Sequence, residues 1–245
     1  MGMEKQLEFF AKNGYLVIPE ALSTGEVEKI NRAIDRDLSE NEEMWRGDKS
    51  GRYQNVNSLL VQPELDITMR PPSLLPLMEV IMGRDLCAEE HSVMIRAANP
   101  AGPTECSWHR DGDRTGSPPY YTFYLSVVFY LSDVDDTTHT FSVLPGSGQT
   151  QALHSLEELD LGEAEYLTGP AGTAILFNSV TFHAGNVRQS AVERRTIHIY
   201  CGRTSGPPLS NYTIFPRRLS AGADEATRKY YSRPNPITRL VTENF

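Results

Sequence analysis

The stretch Arg195-Thr196-Ile197-His198-Ile199-Tyr200-Cys201 indicates the fold class, because it is rich in β-branched and aromatic residues. Four other segments share this composition: residues 92–97, 121–131, 140–144 and 173–177. Clusters of Pro and Gly separate several of these segments, as in Pro145-Gly146-Ser147-Gly148. Many short strands punctuated in this way predict a sandwich or jelly roll rather than a parallel α/β sheet.

Helical patterns precede this β-rich part. Residues 4–13 and 73–82 carry apolar side chains at helical spacing, and residues 15–19 form a short apolar strand. Ser23-Thr24-Gly25-Glu26 is a capping box that begins an amphipathic helix. We therefore predict a mainly β fold with N-terminal helices. Residues 1–245 are read as a single domain, with a helical part over about 1–85, a β core over about 86–203 and an irregular C-terminal tail with a short helix at 224–231.

Composition excludes several classes of function. The 245 residues include 23 Lys and Arg against 32 Asp and Glu, a formal net charge of -9, so we expect no nucleic-acid partner. No apolar run approaches the roughly 20 residues of a membrane-spanning helix, and the polar N-terminus has no signal-peptide core. These features predict a cytoplasmic protein without a membrane partner. Three scattered cysteines form neither a disulfide framework nor a zinc-knuckle pattern.

The tetrapeptide Trp108-His109-Arg110-Asp111 has the pattern of a metal site. Side chains alternate along a strand, so His109 and Asp111 should point to one side and Arg110 to the other. An imidazole nitrogen and a carboxylate oxygen on one face can bind a divalent cation together. His183, in the loop after a short apolar strand, is the best candidate for a third ligand. Two histidines and one carboxylate form the facial triad of non-haem Fe(II) oxygenases.

Arg194 strengthens the metal hypothesis. It lies 11 positions after His183 and begins a predicted strand. A guanidinium inside a barrel needs an anionic partner, and its fork of donors matches a carboxylate. A salt bridge at the surface is the alternative role for Arg194. Arg195 should face the other side of the strand and is assigned to such a solvated role.

These residues together make the sequence resemble the phytanoyl-CoA dioxygenase family of Fe(II)/2-oxoglutarate oxygenases, from Phe9 to about Arg203. The family's usual opening is matched by Phe10-Ala11-Lys12-Asn13-Gly14-Tyr15-Leu16-Val17-Ile18-Pro19, and Leu22-Ser23 with an amphipathic helix follows. The His109-Arg110-Asp111 motif, the two Pro/Gly turns at 144–147 and 169–173, and His183 with Arg194 then come in the family's order. The family's PGSH turn departs here, because it ends in Gly148 instead of histidine.

The resemblance implies a double-stranded β-helix, the cupin-like jelly roll, with iron held by His109, Asp111 and His183. It implies that 2-oxoglutarate chelates the metal and places its far carboxylate on Arg194. The cosubstrate and O2 would then serve to oxidise a carbon of a small-molecule substrate by hydroxylation, desaturation or cyclisation. Asp111 argues against halogenation, because halogenating relatives lack the metal carboxylate. The compact chain resembles bacterial tailoring oxygenases of natural product biosynthesis, and sugar-containing intermediates are one candidate class.

Several other polar residues are candidates for the pocket. His198 shares strand parity with Arg194, although a hydrogen-bonded core histidine is the preferred reading. His91 and Arg96 have opposite parity, so at most one of them should face the pocket. The mouth of the barrel has three further candidates, Gln54, Asn55 and Asn57. The alternative is that they are ordinary polar residues of a loop.

Two other functions compete with the oxygenase. The same jelly roll and metal can serve a cupin-like isomerase, a hydrolase or a non-redox binding protein. A non-catalytic interaction module, in which the histidines are structural, is the third reading. The dioxygenase is preferred because the arginine and the family's order of motifs accompany the metal triad.

Overall fold

Two antiparallel sheets form the framework of the computed structural model, which describes residues 2–49, 51–112, 122–148, 160–210, 212–233 and 240. One sheet has seven strands and the other has four. The strands are β1 Tyr15–Ile18, β2 Arg46–Gly47, β3 Arg52–Asn55, β4 Leu86–Arg96, β5 Glu105–Cys106, β6 Leu125–Tyr130, β7 Thr140–Val143, β8 Glu165–Leu167, β9 Ala174–Asn178, β10 His183–Val187 and β11 Arg194–Arg203.

Strand order shows how the jelly roll closes. The larger sheet runs β1-β9-β6-β11-β4-β3-β2, and the smaller runs β5-β10-β7-β8. Consecutive strands often lie in different sheets, so distant parts of the chain meet between them. The predicted jelly roll with N-terminal helices is therefore confirmed.

The long strand β11 lies between β4 and β6 in the larger sheet. Arg194 pairs with Arg96 at one end of the β11–β4 ladder, and Tyr200 pairs with Glu90 towards the other. A register shift follows Tyr200, so the ladder contains a bulge. Because side chains alternate, Arg194, His198 and Tyr200 share one face of the strand.

The other face of β11 packs against the helices. Ile197, Ile199 and Cys201 belong to the core that includes apolar residues of the helical part, such as Ile30 and Met78. The helices are α1 Met3–Asn13, α2 Thr24–Glu40, α3 Asp66–Met69, α4 Leu75–Met82 and α5 Glu225–Tyr230.

The predicted capping box of α2 is confirmed. The Ser23 hydroxyl accepts a hydrogen bond from the Glu26 amide at 3.3 Å, and the Ser23 amide donates to the Glu26 carboxylate at 2.7 Å. This pair satisfies two amide donors that the first turn would otherwise leave open.

A second, smaller core lies between the sheets. It buries Tyr130 and Phe177 from the larger sheet against Phe141 and Val143 from the smaller one. This apolar filling occupies part of the barrel and leaves the remainder for polar side chains.

The structure also departs from the sequence predictions. Gln54 and Asn55 lie in β3, which forms a hairpin with β2 and extends the larger sheet. They are therefore not in a loop, which was the alternative reading of these residues. His183 was predicted in a loop, and this was wrong, because it is the first residue of β10. Residue 121, where one predicted strand begins, lies outside the described residues. No helix in the described part of the chain is long and apolar enough to cross a membrane.

Two glycines test the framework. Gly172 has φ +94°, and a Cβ there would lie 2.3 Å from the backbone oxygen of Leu22. We expect Gly172→Ala to lower the free energy of unfolding by at least about 2 kcal/mol in urea denaturation. Gly25→Ala is the matched control, because a Cβ at Gly25 in α2 meets nothing within 4 Å. It should leave stability unchanged or raise it by about 0.5 kcal/mol. Equal effects of the two substitutions would contradict the close packing of Gly172 against the Leu22 backbone.

Candidate active site

A reciprocal pair of backbone hydrogen bonds joins the two halves of the site. The His109 amide donates to the His183 carbonyl and the His183 amide donates to the His109 carbonyl, both at 3.0 Å. The short strand β5 pairs with the far end of β10 in the same register, with Cys106 opposite Asn186. The Asp111 amide then bonds the Ser179 carbonyl at 3.0 Å. The backbone around the His109 motif is thus fixed at several points along β10 and the turn before it.

This pairing brings three potential metal ligands together. His109 Nε2 lies 3.4 Å from Asp111 Oδ1, and His183 Nε2 lies 3.3 Å from Asp111 Oδ2. The ligand atoms of all three residues lie within 4.8 Å of one another. Two neighbouring ligands, each about 2.1 Å from one cation, would be about 3 Å apart. The spacing therefore fits a first-row divalent metal.

Second hydrogen bonds orient both imidazoles. His109 Nδ1 lies 3.0 Å from the Ser107 carbonyl, and His183 Nδ1 lies 2.9 Å from the Thr181 carbonyl. A carbonyl only accepts, so each Nδ1 carries a proton, and Nε2 is the ring atom that can lose its proton and bind a metal. Metal-binding histidines commonly use this arrangement.

Asp111 is held as a carboxylate. Burial alone would raise its pKa, but the hydrogen bonds and charges of His109 and His183 lower the pKa well below its ordinary value. The pKa of His109 is raised in return, chiefly by its hydrogen bond to Asp111. Asp111 Oδ2 is buried without a hydrogen-bond partner in the described part of the chain. An unsatisfied buried carboxylate oxygen of this kind suits a cation.

Aromatic rings shield one side of the cluster. The His183 ring is 4.6 Å from that of Phe177 and 5.5 Å from that of Phe141, measured between centroids. His183 is 3% exposed, whereas the side chain of His109 is 51% exposed. The cluster is therefore dry behind His183 and open beside His109.

Arg194 is a buried cation with unfilled donors. The residue is 7% exposed, and among the described residues nothing accepts from its Nε or Nη1. Burial, and to a smaller degree the charge of Arg96, lowers the pKa of the guanidinium to about 10, although Tyr130 acts in the opposite direction. A buried guanidinium of this kind fits a carboxylate ligand. The surface alternative for Arg194 is wrong. Its neighbour Arg195 pairs with Asp35 at 2.7 Å and Glu193 at 2.6 Å, as predicted for the solvated face.

The other candidate residues differ in the strand face on which their side chains lie. His198 faces inward, and its Nε2 lies 3.1 Å from the Thr196 hydroxyl. Burial, together with the charge of Arg194, lowers the pKa of His198 to about 3, so it is neutral. His91 lies on the opposite face of β4, fully buried, with Nε2 3.2 Å from the Thr68 hydroxyl. Arg96 has the opposite parity to His91 along β4 and pairs with Arg194 in the ladder. Of His91 and Arg96, only Arg96 therefore faces inward.

A cleft of about 530 Å³ opens beside Asp111. Gln54 and Asn57 line it, as predicted for the barrel mouth, whereas Asn55 instead donates to the buried Asp37 carboxylate at 2.9 Å. Other polar residues of the lining are Arg46, Glu90, Tyr200 and Ser210. The predicted metal ligand Asp111 therefore lies at the wall of a polar cleft.

Sequence reasoning missed Glu90 and Tyr200 as residues of this cleft. Burial, with the charges of Asp111 and Glu90, raises the pKa of Tyr200 well above its usual value, and burial raises the pKa of Glu90. A usable signal was present, because Tyr200 shares parity with Arg194 and Glu90 shares parity with Arg96. The predicted strand began at residue 92 and so excluded Glu90.

Comparison with known proteins agrees with this geometry. A family model described as phytanoyl-CoA dioxygenase (PhyH) matches residues 10–196. The chain is 25% identical to a probable alpha-ketoglutarate-dependent hypophosphite dioxygenase of Stutzerimonas stutzeri, over 89% of this chain and 90% of that protein.

Two solved structures show the same fold. The alpha-ketoglutarate-dependent epimerase SnoN from nogalamycin biosynthesis superposes with a TM-score of 0.66 at 19% identity, covering 82% of this chain and 80% of SnoN. HygX from Streptomyces hygroscopicus, solved with nickel and 2-oxoglutarate, has a TM-score of 0.68 at 18% identity, covering 83% of this chain and 88% of HygX.

The unfilled donors of Arg194 lead to a stability prediction. Without an added anion, Arg194→Met should leave the free energy of unfolding unchanged or raise it by about 1–2 kcal/mol, because a buried uncompensated charge is removed. Arg195→Met is the matched control and should lower stability by about 0.5–1 kcal/mol, because it breaks two ion pairs. Urea denaturation measures both changes. A loss above about 2 kcal/mol in Arg194→Met would show that the guanidinium already has a stabilising partner in the protein.

Proposed function

This chain belongs to the phytanoyl-CoA dioxygenase family, and on that premise we propose that it is a 2-oxoglutarate-dependent dioxygenase whose iron is held by His109, Asp111 and His183. The single observation that carries the proposal is the convergence of their ligand atoms within 4.8 Å. Three protein ligands on one face leave positions for a cosubstrate and oxygen.

The donor set fits iron rather than a structural cation. Two imidazole nitrogens and one carboxylate oxygen would form the facial triad, and in both imidazoles Nδ1 bonds a backbone carbonyl, so Nε2 is the atom available to a metal. Asp111 contributes a negative charge, and its buried Oδ2 has no hydrogen-bond partner among the described residues. When bound, iron with 2-oxoglutarate and O2 supplies the oxidising power for attack on an unactivated carbon.

The protein's own residues orient the reactants. The backbone bridge holds His109 and His183 at fixed positions, while Phe177 and Phe141 keep water from the rear of the cluster. The cleft on the Asp111 side gives a small molecule access to the metal. Catalysis then depends on holding the substrate carbon near the metal, which is a matter of position rather than of proton transfer.

Arg194 is proposed to bind the far carboxylate of 2-oxoglutarate. Its Nε and Nη1 are buried and unfilled in the described structure, and it lies on the inward face of β11. Two parallel N–H donors match a carboxylate better than a single ammonium would. This contact would fix the cosubstrate at the end of the barrel that lies away from Glu90.

The substrate is proposed to be an intermediate of natural product biosynthesis, oxidised by hydroxylation, desaturation or cyclisation. The likeness to SnoN of nogalamycin biosynthesis supports this class. The chain's polar cleft also favours a polar small molecule over a long apolar chain, because charged and amide side chains line much of it.

Metal binding tests the triad directly. Wild-type protein should bind one Ni²⁺ or Co²⁺ per chain in calorimetric titration, and Asp111→Ala should weaken binding at least about tenfold, because a charged ligand is lost. Asp136→Ala is the matched control, since Asp136 is exposed and lies outside the triad. Equal affinity in wild type and Asp111→Ala would refute the assignment of the metal ligands.

Cosubstrate binding tests Arg194. In metal-loaded protein, Arg194→Met should raise the Kd of 2-oxoglutarate by about 100-fold or more, because a charge-assisted bidentate contact is lost, while metal affinity stays the same. Arg195→Met should leave both unchanged. Unaltered 2-oxoglutarate affinity in Arg194→Met would remove the cosubstrate assignment. Full turnover without oxygen on a zinc-loaded site would instead identify a cupin-like isomerase or hydrolase.

A further inference from the structure

Glu90, like Arg194, is buried and has no oppositely charged partner among the described residues. It lines the same cleft as Asp111 and is 5% exposed. Buried carboxylates in folded proteins are normally paired with a cation or bound to a metal. The partners of Glu90 therefore decide whether this residue is structural.

Within the described residues, the hydrogen-bond partner of the Glu90 carboxylate is the Ser210 hydroxyl, which donates to Oε2. No Lys or Arg of the described chain lies within ion-pair distance of it. Arg46 lines the cleft but is exposed and makes no ion pair with Glu90. A neutral hydroxyl does not compensate a buried negative charge.

The preceding residue, Glu89, shows what a structural carboxylate looks like here. Its Oε2 accepts the amide of Leu209 at 2.7 Å and that of Ser210 at 3.3 Å, and Arg233 lies 3.9 Å from Oε1. The bulge in the β4–β11 ladder lies at Glu89, because Tyr200 pairs with Glu90 and Cys201 pairs with Ala88. Glu89 thereby anchors the C-terminal segment, while Glu90 remains in the cleft.

The position of Glu90 relative to Asp111 suits substrate binding. Tyr200 is its ladder partner, and the charges of both Asp111 and Glu90 act on the Tyr200 hydroxyl. Glu90, Tyr200 and Asp111 line the wall of the same cavity. A molecule bound to Glu90 would extend towards the metal.

We propose that Glu90 determines substrate specificity by binding an ammonium group, so that the substrate is an amine. An ammonium supplies the missing positive charge and up to three hydrogen bonds to a desolvated carboxylate. Gln54 and Asn57 provide neutral polar contacts for the remainder of the molecule. This inference rests on the proposed function only in placing the reaction at Asp111.

Matched probes test the charge preference. Cyclohexylammonium and cyclohexanol have the same ring and differ in the charged group, and their binding to zinc- and 2-oxoglutarate-loaded protein can be followed by saturation-transfer NMR titration. Wild type should prefer the ammonium by at least about tenfold, and Glu90→Gln should reduce the preference to about twofold or less. Glu79→Gln is the matched control and should keep the preference, because it removes the same charge from an exposed residue that does not line this cleft.

Two outcomes would overturn the inference: equal binding of the two probes by wild type, or a preference that persists in Glu90→Gln. Thermal melting and 2-oxoglutarate affinity show whether Glu90→Gln is folded. If it is not folded, Glu90→Asp replaces it and should reduce the preference at least about threefold, because the carboxylate is withdrawn by one methylene.

The same samples separate the two hypotheses. Loss of the amine preference with normal metal and 2-oxoglutarate binding would refute the role of Glu90 alone. A retained amine preference in a protein that binds no metal at Asp111 would refute the dioxygenase assignment and leave the amine site standing.

Discussion

The two reciprocal hydrogen bonds between His109 and His183 are the contact on which the site depends. They join parts of the chain that are far apart in sequence, and only the register of β5 on β10 brings the two imidazoles to the same place. Strand alternation then directs Asp111 towards the same point as His109. A shift of one residue in this pairing would turn one histidine away from the other ligands. The chemistry of the site is therefore as rigid as the sheet that carries it.

Uncompensated charge marks the places where a ligand belongs. Arg194 lies at one end of the β11–β4 ladder and Glu90 towards the other, beside Tyr200. About six residues of extended strand separate Arg194 from Tyr200, a distance of roughly 20 Å. Each of the two charges is buried without an opposite charge among the described residues, and each reduces the stability of the empty protein. This loss of stability is consistent with function, since a bound ligand of opposite charge would offset it in both cases.

Local sequence rules predicted the parts of the fold that have strong local signals. The capping box at Ser23, the amphipathic helix behind it and the long apolar strands were predictable because short-range hydrogen bonds and periodicity determine them. That His109 and Asp111 point to the same side was predicted from the alternation of side chains along a strand alone. His183 was misplaced in a loop, because His183-Ala184-Gly185-Asn186 lacks the β-branched residues of a typical strand and is held by its neighbours. The β2–β3 hairpin was not predicted for the same reason.

The outer wall of the cleft is built differently from the metal site. The described residues after β11 form no strand, and side chains hold the backbone of this C-terminal segment. Glu89 accepts from the amides of Leu209 and Ser210, and Asn57 accepts from the amide of Ile214 at 2.8 Å. Sequence periodicity cannot reveal such contacts, since each joins residues that are distant along the chain. This wall depends on side-chain contacts and the metal site on a backbone ladder, so the residues of the C-terminal segment can change without altering the register of the metal ligands. The C-terminal wall of the cleft and the metal site thus rest on separate sets of interactions in one barrel.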